Sequence, residues 1–396
     1  MRFITLILLF SSLVNAAEVD KKWASVKNCE ACHQNIAKHW ENSRHANAHF
    51  SKNDLYKKSI EYMVMKNPQY IIDEMKVKCA KCHNPRISKN AMSDEEKILL
   101  ILDDDSVKKE FSSVLNSEQM KHGINCVVCH NIEEIHLDKT VGSQGLEGVT
   151  FGKQGTMFGP FKDGISPHHK TAYKEHFAQD SPTLCFTCHY SHKNEHGLEV
   201  YSTGREYDEV QSKEGCRSCH MSEKKKGVAS EYAEFGKKPK ERMVRDHRFA
   251  SVDNSKILQD NLEIKSYIEK TDFIVELTSK APHKIPTGYG LREVILTVEF
   301  YNGAKKVAQK VERLSAIWHD KDGKVTLPFM AVKKAKDTRL APKGSKKYTF
   351  ALPQGALSAK YILSYRLIGK EMAKAIKLSD PFFTKTYKVK EGSVDF

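Results

Sequence analysis

Ten cysteines form five copies of one motif, Cys-x-x-Cys-His, and no cysteine lies outside these motifs. Two thiols at this spacing bind the vinyl groups of one haem as thioethers, and the imidazole of the next residue faces its iron. Each copy therefore predicts one covalently bound haem c, and the chain predicts five. The copies are Cys29-Cys32-His33, Cys79-Cys82-His83, Cys126-Cys129-His130, Cys185-Cys188-His189 and Cys216-Cys219-His220.

Paired cysteines also have other uses. An even number of cysteines in an exported chain is typical of a disulfide framework, and Cys-x-x-Cys pairs occur in zinc sites and thioredoxin-like redox proteins. Neither disulfides nor zinc sites require histidine directly after the second cysteine. Here histidine occupies that position in every copy, so haem attachment is the interpretation that accounts for the whole pattern.

The first residues predict export. Met1 and Arg2 precede an apolar run from Phe3 to Val14, and small residues follow at Ala16 and Ala17. This pattern is typical of a cleaved secretory signal peptide, here residues 1–16. The run is shorter than the roughly 20 apolar residues that span a bilayer, and no later stretch is longer. We expect a periplasmic protein that is soluble or membrane-peripheral, without a transmembrane span.

The formal net charge is +14 at pH 7. An excess of this size often indicates an anionic partner, but the lysines are scattered and an exported protein rarely meets nucleic acid. Solvated surface is the simpler interpretation, with no nucleic-acid partner. Five haems also carry roughly ten propionate charges, which offset much of the excess.

All five motifs lie between Cys29 and His220, which leaves too little polypeptide to bury five porphyrins separately. The haems must therefore form the core of a domain, residues 17–255, in which short helices and loops surround them. A capping box of Ser93 and Glu96 predicts a helix start. The glycine-rich stretch 142–164 predicts a long loop, either a flap over haem edges or an ordinary surface excursion.

Beyond about residue 260 the hydrophobic periodicity changes to two. Apolar residues alternate from Phe273 to Leu277, from Val294 to Phe300 and from Tyr348 to Leu352. These segments predict strands of a second domain, residues 256–396, with about seven strands in a small antiparallel immunoglobulin-like β-sandwich. The predicted fold class is thus α+β.

Thirteen histidines lie outside the motifs, and five haems with two histidine ligands each would need five of them. His45 and His49 are four residues apart and would share one face of a helix. His283 lies between Pro282 and Pro286, where the chain is stiff, and as a ligand it would attach the second domain to the haem domain. The thirteen are His39, His45, His49, His122, His136, His168, His169, His176, His192, His196, His247, His283 and His319.

Several segments resemble multihaem cytochromes of the cytochrome c-554/c-prime type. The first runs from Cys29 through Trp40 and Ser43 to His45 and His49. The others are Gly159-Pro160-Phe161 with Ser166-Pro167-His168-His169, Gly215 to Met221, Arg245-Asp246-His247-Arg248-Phe249, and Ala281 to Gly288, the last of which resembles a loop of members with a C-terminal β domain. The resemblance implies distal ligation by His45, by one of His168 and His169 with His168 taken as the ligand, by His247 and by His283, with His122 as a further candidate.

Three functions fit these features. The favoured one is electron transfer in a periplasmic respiratory chain, between a quinol-oxidising membrane donor and a terminal reductase or another cytochrome. The alternative is an oxidoreductase in which one haem lacks a distal ligand and acts on a small nitrogen or sulfur compound such as hydroxylamine, nitric oxide or a sulfur oxyanion. The lysine-ligated motif of pentahaem nitrite reductases is absent. In the third, the basic C-terminal domain chiefly docks a redox partner or the cell envelope.

Overall fold

The computed structural model describes residues 21–232, 238–250 and 255–396. The predicted signal peptide, residues 1–16, lies outside these ranges. Within them, helices and small strand pairs make up the chain as far as about residue 260, and long strands dominate after that point. This confirms a mixed helix and strand protein. No helix in the described ranges is both long and apolar enough to cross a membrane.

The helices are short, and the two longest have 13 and 12 residues. Two 3₁₀ helices, Gly145–Gly148 and Pro328–Met330, occur as well. The α-helices of the described residues are α1 (Lys21–Ala24), α2 (Val26–Glu30), α3 (Gln34–Glu41), α4 (Asp54–Lys66), α5 (Ile72–His83), α6 (Asp94–Ile101), α7 (Asp105–Leu115), α8 (Glu118–Lys121), α9 (Cys126–His130), α10 (Glu175–Ala178), α11 (Thr183–His189), α12 (Thr203–Glu209), α13 (Cys216–His220), α14 (Ser255–Asn261), α15 (Lys370–Ala375) and α16 (Pro381–Thr384).

Side-chain caps fix several helix starts. The Ser93 hydroxyl accepts a hydrogen bond from the Glu96 amide, and the Glu96 carboxylate accepts one from the Ser93 amide. The predicted capping box therefore exists and begins α6. Asp104 caps α7 in the same manner by accepting from the amides of Ser106 and Val107. These bonds satisfy amides that have no partner within the helix.

The strands within the described ranges form small pairs first and larger sheets later. They are β1 (Ile132–Ile135), β2 (Val149–Phe151), β3 (Thr156–Gly159), β4 (Lys170–Tyr173), β5 (His192–Lys193), β6 (Glu199–Tyr201), β7 (Lys225–Val228), β8 (Glu241–Val244), β9 (Leu262–Glu269), β10 (Asp272–Ser279), β11 (Glu293–Asn302), β12 (Lys305–Leu314), β13 (Ala316–His319), β14 (Lys333–Asp337), β15 (Ser345–Ala351), β16 (Ser358–Arg366) and β17 (Tyr387–Asp395).

The glycine-rich stretch 142–164 is more ordered than the predicted long loop. It contains a 3₁₀ helix and two strands, of which β2 pairs with β1 and β3 pairs in parallel with β4. The expectation of one continuous loop was therefore wrong, because backbone pairing with segments on either side satisfies the polar groups that a loop would expose to water.

Three antiparallel sheets form after residue 260 in the described chain. The two larger ones have three strands in the order β15-β10-β9 and four in the order β12-β11-β16-β17, and β13 pairs with β14. Their facing sides meet at Phe273 of β10 and Phe300 of β11, whose rings lie 6.2 Å apart in an edge-to-face arrangement. The strands predicted from period-two alternation are thus confirmed. Nine strands form here instead of about seven, and the immunoglobulin-like arrangement is not confirmed.

The main hydrophobic core crosses from one part of the chain to the other. It contains Phe273 and Phe300 together with Leu55, Ile60 and Met63 of α4. The residues around the haem motifs form only smaller buried clusters, as expected if cofactors fill the space between them. The helices next to the second motif therefore pack directly on the sheets.

Phe273→Ala tests how much this core contributes to stability. Phe273 is fully buried, so we expect the free energy of unfolding to fall by about 3–5 kcal/mol. Urea unfolding followed by far-ultraviolet circular dichroism measures the change. Val307→Ala on the exposed face of β12 is the control, and we expect it to change stability by less than about 0.5 kcal/mol. Equal effects of the two variants would contradict the assignment of the core.

Candidate haem-binding site

One continuous cavity of about 2650 Å³ runs through the protein, and residues of all five Cys-x-x-Cys-His motifs line it. Pockets for single small ligands usually enclose roughly 300–1,000 Å³. This cavity therefore has room for several large cofactors that touch one another, as the prediction of a haem core requires.

Each motif forms a helical turn or lies next to one. The second copy ends α5, the third is the whole of α9, the fourth ends α11 and the fifth is α13, while the first begins in α2. Residues i, i+3 and i+4 share one face of a helix. Both thiols and the imidazole of a motif therefore point to the same side, and in every copy that side faces the cavity.

The described residues contain neither a disulfide nor a metal-ligand cluster that would use these cysteines. All ten cysteines lie within the described residues and none is in a disulfide. Within the described ranges, no group of three or more His, Cys, Asp or Glu side chains is placed to hold a metal ion. A structural zinc site needs four such ligands. The thiols therefore remain available for thioether bonds.

The motif histidines are oriented by backbone carbonyls. In four of the five motifs the Nδ1 atom donates to a carbonyl oxygen at 2.5 to 3.4 Å, which leaves Nε2 free to bind iron. Such bonds fix the tautomer and the direction of the ring. The pairs are His33 with Ala229, His83 with Ala48, His130 with Phe158, and His220 with Ala250.

Four motif histidines face a second histidine across the cavity. The ring centres lie 6.2 to 6.4 Å apart in all four cases. An iron with an imidazole nitrogen about 2 Å away on each side separates the two ring centres by roughly 6 Å. The spacing therefore fits one iron between each pair. The pairs are His33 with His169, His189 with His45, His130 with His247, and His220 with His283.

Burial lowers the pKa of each second histidine, and hydrogen bonds orient three of the four rings. Burial lowers the pKa of His45 to about 3 and that of His247 to about 4, so both rings carry the free lone pair that a metal needs. His169, His247 and His283 donate from Nδ1 to backbone carbonyls at 3.0 to 3.1 Å. The Nδ1 atom of His45 is buried and has no hydrogen-bond partner.

Two histidines that were predicted as distal ligands, His168 and His122, lie away from the motif histidines. His169, not His168, faces His33, while the His168 ring packs against Tyr232. The nearest ring to His122 is that of Trp40, at 6.5 Å, and its Nε2 atom lies 3.8 Å from the Glu118 carboxylate. Neither His168 nor His122 is therefore placed opposite a motif histidine.

His49 makes hydrogen bonds within the protein through both of its ring nitrogens. Its Nδ1 atom bonds to the Ser51 hydroxyl, and its Nε2 atom donates to the Leu115 carbonyl at 2.8 Å. Both ring nitrogens are thus occupied, which leaves His45 as the member of that pair that faces the cavity.

The motif at Cys79 differs from the others. The ring next to His83 belongs to Tyr56, which stacks on it at 4.2 Å with an interplanar angle of 20°. No histidine of the described residues, which include every histidine of the chain, lies as close to His83 as the second histidines lie to the other motifs. This site therefore has a proximal ligand and no distal histidine at the ligation spacing.

The motifs touch one another in a defined order. Cys29 lies within hydrogen-bonding reach of Cys126, and Cys185 lies within the same reach of Cys216. Cys129 is close enough to Cys185 for their charges to interact. The first, third, fourth and fifth motifs thus follow one another. Cys82 and Cys188 are also in contact, so the second motif adjoins the fourth.

Comparisons with known proteins agree with this geometry. The family model for cytochrome c554 and c-prime matches residues 28–101. The solved structure of a penta-haem cytochrome c552 from Thermochromatium tepidum superimposes with a TM-score of 0.69 and 17% sequence identity, over 94% of this chain and 98% of that one. Together with the five Cys-x-x-Cys-His motifs, these two matches support a multihaem c-type cytochrome. No curated protein sequence matches it.

The resemblance to this class indicates the basic chemistry. Multihaem c-type cytochromes carry covalently bound haem c and transfer electrons, and the family match supports the same chemistry here. The haems supply one-electron redox chemistry, while the protein supplies the thioether cysteines, the axial imidazoles and the carbonyls that orient them. The solved neighbour is a penta-haem protein with a similar fold.

Proposed function

We propose that this cytochrome is an exported five-haem electron carrier of a periplasmic respiratory chain. The observation that supports the proposal best is the set of four histidine pairs at 6.2 to 6.4 Å. An iron with two imidazole ligands has no free position for a substrate and has a comparatively low potential, so it exchanges electrons only. We assign His169, His45, His247 and His283 as the distal ligands of the haems at His33, His189, His130 and His220.

The order of motif contacts supports a route for the electrons. In this route they pass between the haems at His33, His130, His189 and His220, and the haem at His83 branches from the one at His189. Cys219 is the exposed cysteine among the ten, so the edge of the last haem is accessible to a partner. We propose redox proteins as partners, namely a quinol-oxidising membrane donor and a terminal reductase or another cytochrome.

We also retain the predicted division into residues 17–255 and 256–396. The ring pair of His220 and His283 supports an attachment between the two parts, because it joins the fifth motif to the loop between β10 and β11. The pairing of Phe273 with Phe300 supports a sandwich-like packing of the two larger sheets.

One observation favours a second candidate function at the haem on Cys79 and Cys82. Its motif histidine, His83, has Tyr56 beside it and no histidine at the ligation spacing. An iron with an open sixth position binds small molecules, including nitric oxide, hydroxylamine and sulfur oxyanions. In this candidate function the other four haems deliver electrons to that iron.

Electron paramagnetic resonance of the oxidised holoprotein tests both proposals. We expect four low-spin irons and one high-spin iron, with a haem content of five by mass spectrometry. If nitrite, sulfite and hydroxylamine leave the high-spin signal unchanged, the protein is a carrier. If one of them shifts the signal and is consumed under reducing conditions, it is an enzyme. More than one high-spin iron would refute the four assigned histidine pairs, and none would refute the open position.

A further inference from the structure

A buried carboxylate lies beside the loop that carries His283. Glu206 of α12 is 1% exposed, and a carboxylate is removed from water at high cost unless other groups satisfy both oxygens. Here both are satisfied. Oε1 accepts from the Ser202 hydroxyl at 2.9 Å and from the Arg339 guanidinium at 3.2 Å, while Oε2 accepts from the Thr287 hydroxyl at 2.6 Å and the Lys284 amide at 3.1 Å.

The two bonds to Oε2 fix the backbone next to His283. Lys284 is the residue after His283, and its carbonyl oxygen accepts a hydrogen bond from His283 Nδ1 at 3.0 Å. Thr287 holds the other end of the same short segment. The carboxylate therefore acts on the peptide unit that sets the direction of the imidazole, whose ring centre lies 6.3 Å from that of His220.

The opposite side of the loop is held by the segment between β14 and β15. Ile285 and Leu340 exchange two backbone hydrogen bonds at 2.9 and 3.0 Å. Arg339, the residue before Leu340, is the one that pairs with Glu206, and it also pairs with Asp337 at 2.7 Å. The loop that carries His283 is thus held on one side by Glu206 and on the opposite side by the backbone at Leu340.

We propose that Glu206 is a positioning residue that holds His283 on the iron of the haem at Cys216 and Cys219 and lowers the potential of that haem. The inference rests on the proposed ligation by His283. A fixed negative charge near a haem stabilises its oxidised form, which carries one more positive charge than the reduced form. Hydrogen bonds around a metal ligand also control its orientation and strength as a ligand.

Glu206→Gln tests the charge. The variant keeps the size of the side chain and one acceptor oxygen, so we expect all axial ligands to remain. We expect the oxidised-to-reduced equilibrium of one haem to shift about tenfold towards the reduced form, equivalent to about 59 mV for one electron. Spectroelectrochemical titration of the holoprotein measures the shift. Glu206→Ala also releases the loop, and we expect it to add a high-spin signal.

Controls separate this inference from the ligation on which it rests. Glu293→Gln disrupts another carboxylate–arginine pair, between the partly buried Glu293 and the buried Arg366, and should leave potentials and spin states unchanged. If His283→Ala adds no high-spin iron to that of the native protein, the ligation proposal fails. If His283→Ala adds one high-spin iron but both Glu206 variants keep the native potentials and spin states, the role of Glu206 is refuted. If the Glu206→Ala protein does not assemble, two variants of Thr287 replace it, because the Thr287 hydroxyl donates to Glu206. Thr287→Val lacks this hydroxyl and is expected to add a fraction of high-spin iron, whereas Thr287→Ser keeps it and is expected to add none. Any other result refutes the role of Glu206.

Discussion

Replacing Cys126 and Cys129 together by alanine is expected to remove one haem and to destabilise the protein more than the loss of any terminal haem. The third motif lies in the interior of the series, with Cys29 of the first motif on one side and Cys185 of the fourth near the other. Its helix is held by buried residues, including Val127 and Val128. An absent haem here leaves a void bordered by other haems.

The expected loss of stability follows from the size of that void. Removing a single buried leucine side chain costs about 2–5 kcal/mol, and the cost grows with the cavity that remains. A haem is many times larger than a leucine side chain, so we expect the variant to unfold or to be degraded during assembly. Denaturing mass spectrometry counts the haems, because thioether bonds survive unfolding, and thermal unfolding measures the stability.

The matched variant is Cys216→Ala with Cys219→Ala. The fifth motif contacts the fourth through Cys185, and Cys219 is already exposed. This variant should also lose one haem but keep more of the folded protein. It should also preserve electron exchange among the remaining haems, whereas loss of the third haem isolates the first. Retention of five haems in the Cys126 and Cys129 variant would contradict covalent attachment at this motif.

The local chemistry of the site can be predicted from sequence for a physical reason. Two thiols and an imidazole within five residues are brought together by one helical turn, so no tertiary information is needed. The capping box at Ser93 and the alternating strands from Phe273 to Leu277 are local patterns of the same kind. Each depends on neighbours in sequence, and each is present in the structure.

The distal ligands depend on contacts between residues that are far apart in the sequence. The sequence therefore does not determine which of the remaining histidines faces which haem. His45 faces His189, and His283 faces His220, across large sequence separations. The resemblance implied these two positions as ligands but not their partners. Glu206 was not singled out at all, because a lone glutamate in a short helix has no local feature that indicates bonds to Lys284 or Arg339.

The choice between His168 and His169 is the clearest case in which the sequence does not determine the distal ligand. The two residues lie in a bend that directly precedes β4, where no regular periodicity assigns the direction of a side chain. Only the packing of this segment determines that His169 faces His33.

His169→Ala is expected to convert the haem at His33 from low spin to high spin. The structure places the His169 ring 6.4 Å from that of His33, and its Nδ1 atom donates to the Lys170 carbonyl at 3.1 Å. Without this imidazole the iron retains one protein ligand, and water or an added anion can occupy the other position. We expect one equivalent of new high-spin iron by electron paramagnetic resonance.

His168→Ala is the matched control, because it removes the same side chain from the adjacent residue. The His168 ring contacts Tyr232 edge-to-face at 5.3 Å, and its backbone amide bonds to the Ser166 hydroxyl. Neither contact involves the iron, so the variant should retain the spin states of the native protein. New high-spin iron in His168→Ala, with none in His169→Ala, would show that His168 is the ligand. The same signal in both variants would instead indicate that the whole segment had shifted, since each change would then act through the backbone that the two residues share.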